Sequence, residues 1–176
     1  MIVQLTWLEL QIAWIVAGQR RIISAKGNFT TTRHALDADQ QRRHSSEFSD
    51  TIDVIGARGE MGAAKGLGLY WSGLDRTKTD IFGAEVRAKD KRNNRMILHD
   101  SDPDELPFIS AFCDPNDPRR VELLGWMYAE DGKDKTYWSD PSGRNRPAYF
   151  VPNEDLAPMT DFPIVPRNQS RFYQLP

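Results

Sequence analysis

Lys78-Thr79-Asp80-Ile81-Phe82-Gly83-Ala84-Glu85-Val86-Arg87-Ala88-Lys89 is the stretch on which the reading of this fold turns. With Phe82-Gly83 as a two-residue hairpin loop, antiparallel pairing counts outward from the turn and sets Ile81 against Ala84, Asp80 against Glu85 and Lys78 against Arg87. Side chains alternate along a strand, so Glu85, Arg87 and Lys89 share a face with Asp80, while Ala84, Val86 and Ala88 point the other way. Two carboxylates placed opposite one another, with Cβ atoms roughly 5 Å apart, repel. Either a divalent cation or a neighbouring Arg or Lys has to offset that cost. The hairpin alone fits both a metal site and a polar strand face neutralised by Arg87 and Lys89.

The segment before it adds a third acid. Ile55, Gly59, Ala63, Gly66 and Leu67 recur at helical spacing. The glycines at 56, 59, 62, 66 and 68 predict a helix that approaches a sheet closely, although each costs about 1 kcal/mol in helix propensity. Glu60 shares a side with Gly56, Ala63, Ala64 and Leu67. A carboxylate on a small, apolar face needs a partner. An ion pair to Arg87 or Lys89 satisfies it structurally, and a metal shared with Asp80 and Glu85 satisfies it functionally.

An acidic helix, then Asp80-Ile81, Glu85-Val86-Arg87 and the strand Met96-Ile97-Leu98-His99 resembles the PD-(D/E)XK (restriction-endonuclease-like) nuclease superfamily, in the form of small phage and prophage proteins. The resemblance covers the chain from about Asp50 to Thr160, and takes in Gly125-Trp126 and the closing run Ala148 to Pro152 with Leu156 and Pro158. It implies an α+β domain with a central mixed or antiparallel sheet flanked by helices. It implies hydrolysis of DNA phosphodiesters in the host cytoplasm, with magnesium or manganese held by Glu60, Asp80 and Glu85. In that superfamily a lysine two residues after the second acid helps to activate water, and here Arg87 stands in its place. Arginine stays protonated, so it orients water or clamps a phosphate but cannot serve as a general base. Lys89, two residues further along the same face, is the candidate to take over. Without that, the fold becomes a module that no longer cuts and instead binds DNA or inhibits a host protein.

The remainder of the 176 residues fits one domain: an N-terminal helix to residue 24, a polar loop over 25–50, the core over 51–157 and a proline-rich tail over 158–176. A net charge of −2 excludes a global basic field. Contact with DNA therefore rests on local clusters, Arg42 and Arg43 in the loop and Lys91 and Arg92 in the turn after the hairpin, against the alternative of solvated loops. The one cysteine, Cys113, closes the apolar run from Phe108 and reads as a buried strand residue. The absence of a disulfide framework suits the cytoplasm.

Thr6 and Glu9 have capping-box spacing, and Leu5, Leu8, Ile12, Ile15 and Val16 predict an amphipathic helix to Ile23 with that stripe on the core. The alternatives for this helix are a second copy, another protein partner or a membrane surface. It is too short and too interrupted by Glu9 to span a bilayer, and it lacks the basic start of a signal peptide. The expected partner is DNA, with no membrane and with the helix or the tail as docking elements. Phe108 to Cys113 and Arg120 to Ala129 read as strands joined by the turn Asp114 to Pro118, and Ala148 to Val151 as the last strand. Asp100, Asp102 and Asp104 form an acidic turn, since Glu105 and Ala111 break the calcium-loop pattern. Asn153 is a candidate helix cap. Tyr70-Trp71 and Tyr137-Trp138 serve either as base-stacking platforms or as edge plugs.

Overall fold

The computed structural model describes residues 1–27, 46–74, 79–141, 143 and 145–163. Its elements are β1 (Ile2–Gln4), α1 (Trp7–Gly27), α2 (Ser46–Leu67), β2 (Glu85–Lys89), β3 (Met96–Leu98), β4 (Pro107–Cys113), β5 (Arg120–Tyr128), α3 (Ala129–Gly132), β6 (Trp138–Ser139) and β7 (Ala148–Val151). Single 3₁₀ turns span Lys135–Tyr137, Asn153–Asp155 and Met159–Asp161.

The fold is α+β. A four-stranded mixed sheet runs β1-β5-β4-β2 and a three-stranded antiparallel sheet runs β3-β7-β6. Every residue of β4 is buried, because both faces of the large sheet are covered. On one face lies α2, whose glycines make the approach that the sequence predicts. A Cβ at Gly59 would stand 2.5 Å from that of Ala88, one at Gly62 would stand 2.6 Å from Val121, and one at Gly66 would stand 2.7 Å from Val3. Gly68 has a different role. At φ +66° it ends the helix, with Leu69 N–H donating to the Ala64 carbonyl as a left-handed terminal residue permits. On the other face Phe108 packs with Met96, Leu98, Leu106, Ala129 and Val151. The second cover is thus a small sheet with the short α3 beside it, and the two long helices lie on the first side.

The hairpin forms, but it is one bridge long. Ile81 and Ala84 exchange both backbone hydrogen bonds. Gly83 has φ +78° while Phe82 does not enter the left-handed region. A positive angle at the second loop position alone does not match the twist of paired strands, so the arms splay. The arm before the loop turns to residues 70–72, with Phe82 N–H donating to the Tyr70 carbonyl and Ser72 N–H to that of Asp80. The arm after it, β2, runs parallel to β4 from Glu85 beside Phe108 to Lys89 beside Phe112. The expected ladder from Lys78 to Lys89 is therefore replaced by two separate pairings, and Lys78 itself lies outside the described residues.

Other boundaries shift. The capping box forms, with Thr6 N–H donating to Glu9 Oε2 at 2.6 Å and Glu9 N–H to Thr6 Oγ1 at 3.2 Å. The helix it starts is apolar on most of its circumference, so periodicity does not single out the inner face. Leu10, Ala13, Val16 and Ala17 are buried, while Leu8, Ile12 and Ile15 are exposed. Small side chains win the inner face because Ala13 and Ala17 let α1 close on Ala57 of α2. The polar segment expected over 25–50 gives way at both ends, to α1 up to Gly27 and to α2 from Ser46. The tail expected from Pro158 begins as core, since Met159 and Phe162 are buried. Asn153 does not cap a helix with its side chain and instead binds Lys89. Asn93 and Asn94 stay out of the left-handed region in the turn closed by Asn94 N–H on the Lys91 carbonyl.

Candidate functional site

Two of the three acids come together, since Asp80 meets Glu85, and Asp80 acts on Glu60 through its charge, each acid being brought by a different element. Glu85 opens β2, Asp80 ends the short arm before the hairpin loop, and Glu60 projects from α2. The Asp80 carboxyl accepts from the Val86 N–H at 3.0 Å, which anchors it over the first residues of β2. It meets the Glu85 carboxyl there. Burial first, then the charge and hydrogen bond of Asp80, push the Glu85 carboxyl up to about 8, against the pull of Arg87. Asp80 also acts on Glu60, which stands on its other side.

Glu60 is not free to serve as the helix acid of the expected trio. Arg20 of α1 grips both of its oxygens, Nη1 to Oε1 at 2.6 Å and Nη2 to Oε2 at 2.7 Å. The Trp71 indole donates to Oε2 at 2.8 Å, and Arg20 Nε reaches the Gly73 carbonyl at 2.9 Å. Burial raises the Glu60 carboxyl above its ordinary range, while Arg20 and Trp71 pull it down and Asp80 pushes it up. Burial works against the charge of Arg20, but Glu60 more than makes up for it and raises the guanidinium. Three donors aimed at two oxygens fit the carboxylate form. The partner expected for Glu60 was Arg87 or Lys89, and the structure supplies Arg20 instead.

The cations of β2 are engaged elsewhere. Arg87 donates through Nη2 to both oxygens of Asp102 at 2.8 and 2.9 Å, through Nε to the Ile97 carbonyl at 3.1 Å, and lies over the Phe108 ring at 4.7 Å. Lys89 donates to the Asn94 carbonyl and, at 2.7 Å, to Asn153 Oδ1. Burial, then Arg92, lowers its amino group to about 8. Glu85, Arg87 and Lys89 do share one face, since Val86 and Ala88 turn toward α2. Lys89 nevertheless stands four residues from Glu85, or about 13 Å along a strand, and is tied to the opposite end of β2.

Among the flanking basic residues, Arg92 is exposed and pairs with Glu122 at 2.8 Å, and Lys91 is exposed in the turn. Arg42 and Arg43 lie outside the described residues. Cys113 is fully buried, with burial pushing its thiol up to about 12. The Trp71 indole donates to Glu60 and the Tyr137 hydroxyl to Asp155 at 2.9 Å, whereas Tyr70 and Trp138 are exposed.

Sequence reasoning missed three participants. Arg20 lies in the N-terminal helix with no role read for it, Asp102 read as part of an acidic turn, and Ser110 falls in the strand that starts at Phe108. Asp102 accepts both Arg87 and the His99 N–H, so it fixes the guanidinium. Ser110 is the β4 neighbour of Arg87, fully buried, beside the register shift between Ser110 and Ala111. The acidic turn from Asp100 to Asp104 was the one local signal, since Asp side chains in turns bind neighbouring backbone groups.

Among the described residues no group of three or more His, Cys, Asp or Glu is arranged to hold a metal ion. No helix among them is long and apolar enough to cross a membrane. Comparison with known proteins gives no match to a family model, a curated protein or a solved structure.

Proposed function

We propose that the chain is a restriction-endonuclease-like, magnesium- or manganese-dependent phosphodiesterase acting on DNA, in which Asp80 and Glu85 hold the ion. The observation that carries this reading is the meeting of those two carboxyls at the head of β2, with Glu85 pushed up to about 8. Such a pair keeps a proton near neutral pH, and a divalent cation displaces it. Ions of this kind keep several waters, so two carboxylates suffice. When bound, the ion lowers the pKa of a coordinated water and polarises a phosphate oxygen.

The chain's own groups supply the rest. Asp80 stays aimed at Glu85 through the Val86 N–H. Glu60, already neutralised by Arg20, acts on Asp80 through space rather than as a ligand. Arg87 is the cation nearest to Glu85 along β2, and Asp102 holds its fork in place to meet charge developing on a phosphate. Lys89 contributes at the far end of the strand, where it joins the turn after β2 to Asn153.

A second reading, a nuclease-like fold that binds DNA or a host protein without cutting, draws on the satisfied state of Glu60 and Arg87. The purified protein, assayed on single-stranded, double-stranded and branched DNA with magnesium or manganese, separates the two. Cleavage that disappears in both Asp80→Asn and Glu85→Gln supports the hydrolase. Retention of DNA without cleavage, and no heat of metal binding in calorimetry, supports the binding module.

A further inference from the structure

Helix α1 buries one apolar side against α2 and presents a second to solvent. Leu8, Ile12, Ile15 and Ile22 are 65%, 39%, 64% and 48% exposed. With Gln19 they follow a four-three-four-three rhythm, the spacing of a seam that packs against another helix. Trp7 and Trp14 border it and are exposed as well. Taking a large side chain as about 200 Å², these six apolar residues leave on the order of 700 Å² in solvent. A monomer seldom leaves so large an apolar patch uncovered, and each partner of a standard interface contributes about 800 Å².

The charge pattern says what kind of surface fits. Glu9 is turned to Lys65 and Arg20 to Glu60, so both are directed into the molecule. The seam between Leu8 and Ile22 carries no charged side chain of its own, with Gln11 and Gln19 as its polar members, and the guanidinium of Arg119 lies at its border over the Trp7 ring at 4.8 Å. A face without charge meets its own copy without like-charge repulsion. A membrane-surface helix would instead set Lys or Arg along its polar side. Reversed about Ile15, the seam meets itself at its centre and its ends, while its remaining positions meet the neighbours Gly18 and Gln11. Ile15 lies midway between Leu8 and Ile22, so an antiparallel copy centred there sets Leu8 over Ile22, Gln11 over Gln19 and Ile12 over Gly18. Open space surrounds the missing Cβ of Gly18, which leaves room for the isoleucine. Antiparallel helix dipoles favour the same arrangement.

We propose that α1 is the two-fold interface of a homodimer, its outer seam packed antiparallel on the same seam of a second copy. This does not depend on the nuclease reading. Sedimentation velocity of the full chain across the micromolar range tests it. Wild type is expected as a dimer, and Ile15→Glu as a monomer with an unchanged far-ultraviolet dichroism spectrum. Should that variant fail to fold, Ile15→Cys provides the second test: under mild oxidation it cross-links to a covalent dimer, and the native thiol does not compete because Cys113 is fully buried. A wild type that is monomeric at every concentration overturns the proposal. So does a dimer that survives Ile15→Glu, or a monomer that floats with anionic phospholipid vesicles.

Discussion

Arg20 and Glu60 lie 40 positions apart and form a two-point ion pair beside the acidic cluster. Their side chains are 17% and 6% exposed, so removal of either strands a charge away from water. Breaking a buried pair from one side costs about 3–5 kcal/mol, whereas replacing both members by apolar groups is close to neutral. Arg20→Met should therefore lower the unfolding free energy by about 3–5 kcal/mol, and adding Glu60→Leu should recover most of the loss. Urea denaturation of the single and double variants checks this. Recovery in the double variant would not occur if Arg20 acted mainly through Gly73.

Titration at the two ends of β2 has opposite signs. Glu85 rises from its ordinary 4.5 to about 8, so the folded state holds its proton more tightly than the unfolded chain. The stability it contributes is present at acid pH and is lost as pH climbs through that interval. Lys89 falls from 10.5 to about 8, so the unfolded chain binds its proton more tightly. Its share is regained as pH climbs from about 8 to 10.5. In chelator-treated protein, Glu85→Gln should flatten the decline in stability toward pH 8 and Lys89→Met should flatten the recovery above it. Thermal melts at a series of pH values give both limbs.

At the scale of the element, α2 was legible as a helix and as one that lies close to a sheet. Its glycines are not equivalent, however, and spacing alone does not rank them. Gly59 and Gly62 face Ala88 and Val121 with no room for a methyl group, and Gly56 faces open space. Gly59→Ala and Gly62→Ala should each destabilise by about 1–3 kcal/mol through overpacking. Gly56→Ala should stabilise by about 0.5–1 kcal/mol through propensity alone. Denaturant midpoints for the three variants test the ranking. The hairpin gives the complementary case. Phe82-Gly83 was recognisable as a turn, but pairing beyond Ile81 and Ala84 depends on twist, and the β4 strand that captures β2 is more than twenty residues away.

For the whole molecule, the α+β class, the strands β4, β5 and β7 and the meeting of Asp80 with Glu85 could be read from alternation, turn residues and helical spacing. These are local signals, written within a few residues of the groups they place. The parallel pairing of β2, the small second sheet over β4, the inner face of α1, and the partners Arg20 for Glu60 and Asp102 for Arg87 were decided only by the tertiary structure. An ion pair between distant positions leaves no periodicity, and a helix apolar on two sides presents two equally good stripes. Which stripe is buried follows from how closely Ala13 and Ala17 let α1 approach Ala57, a matter of packing volume that only the assembled core can settle.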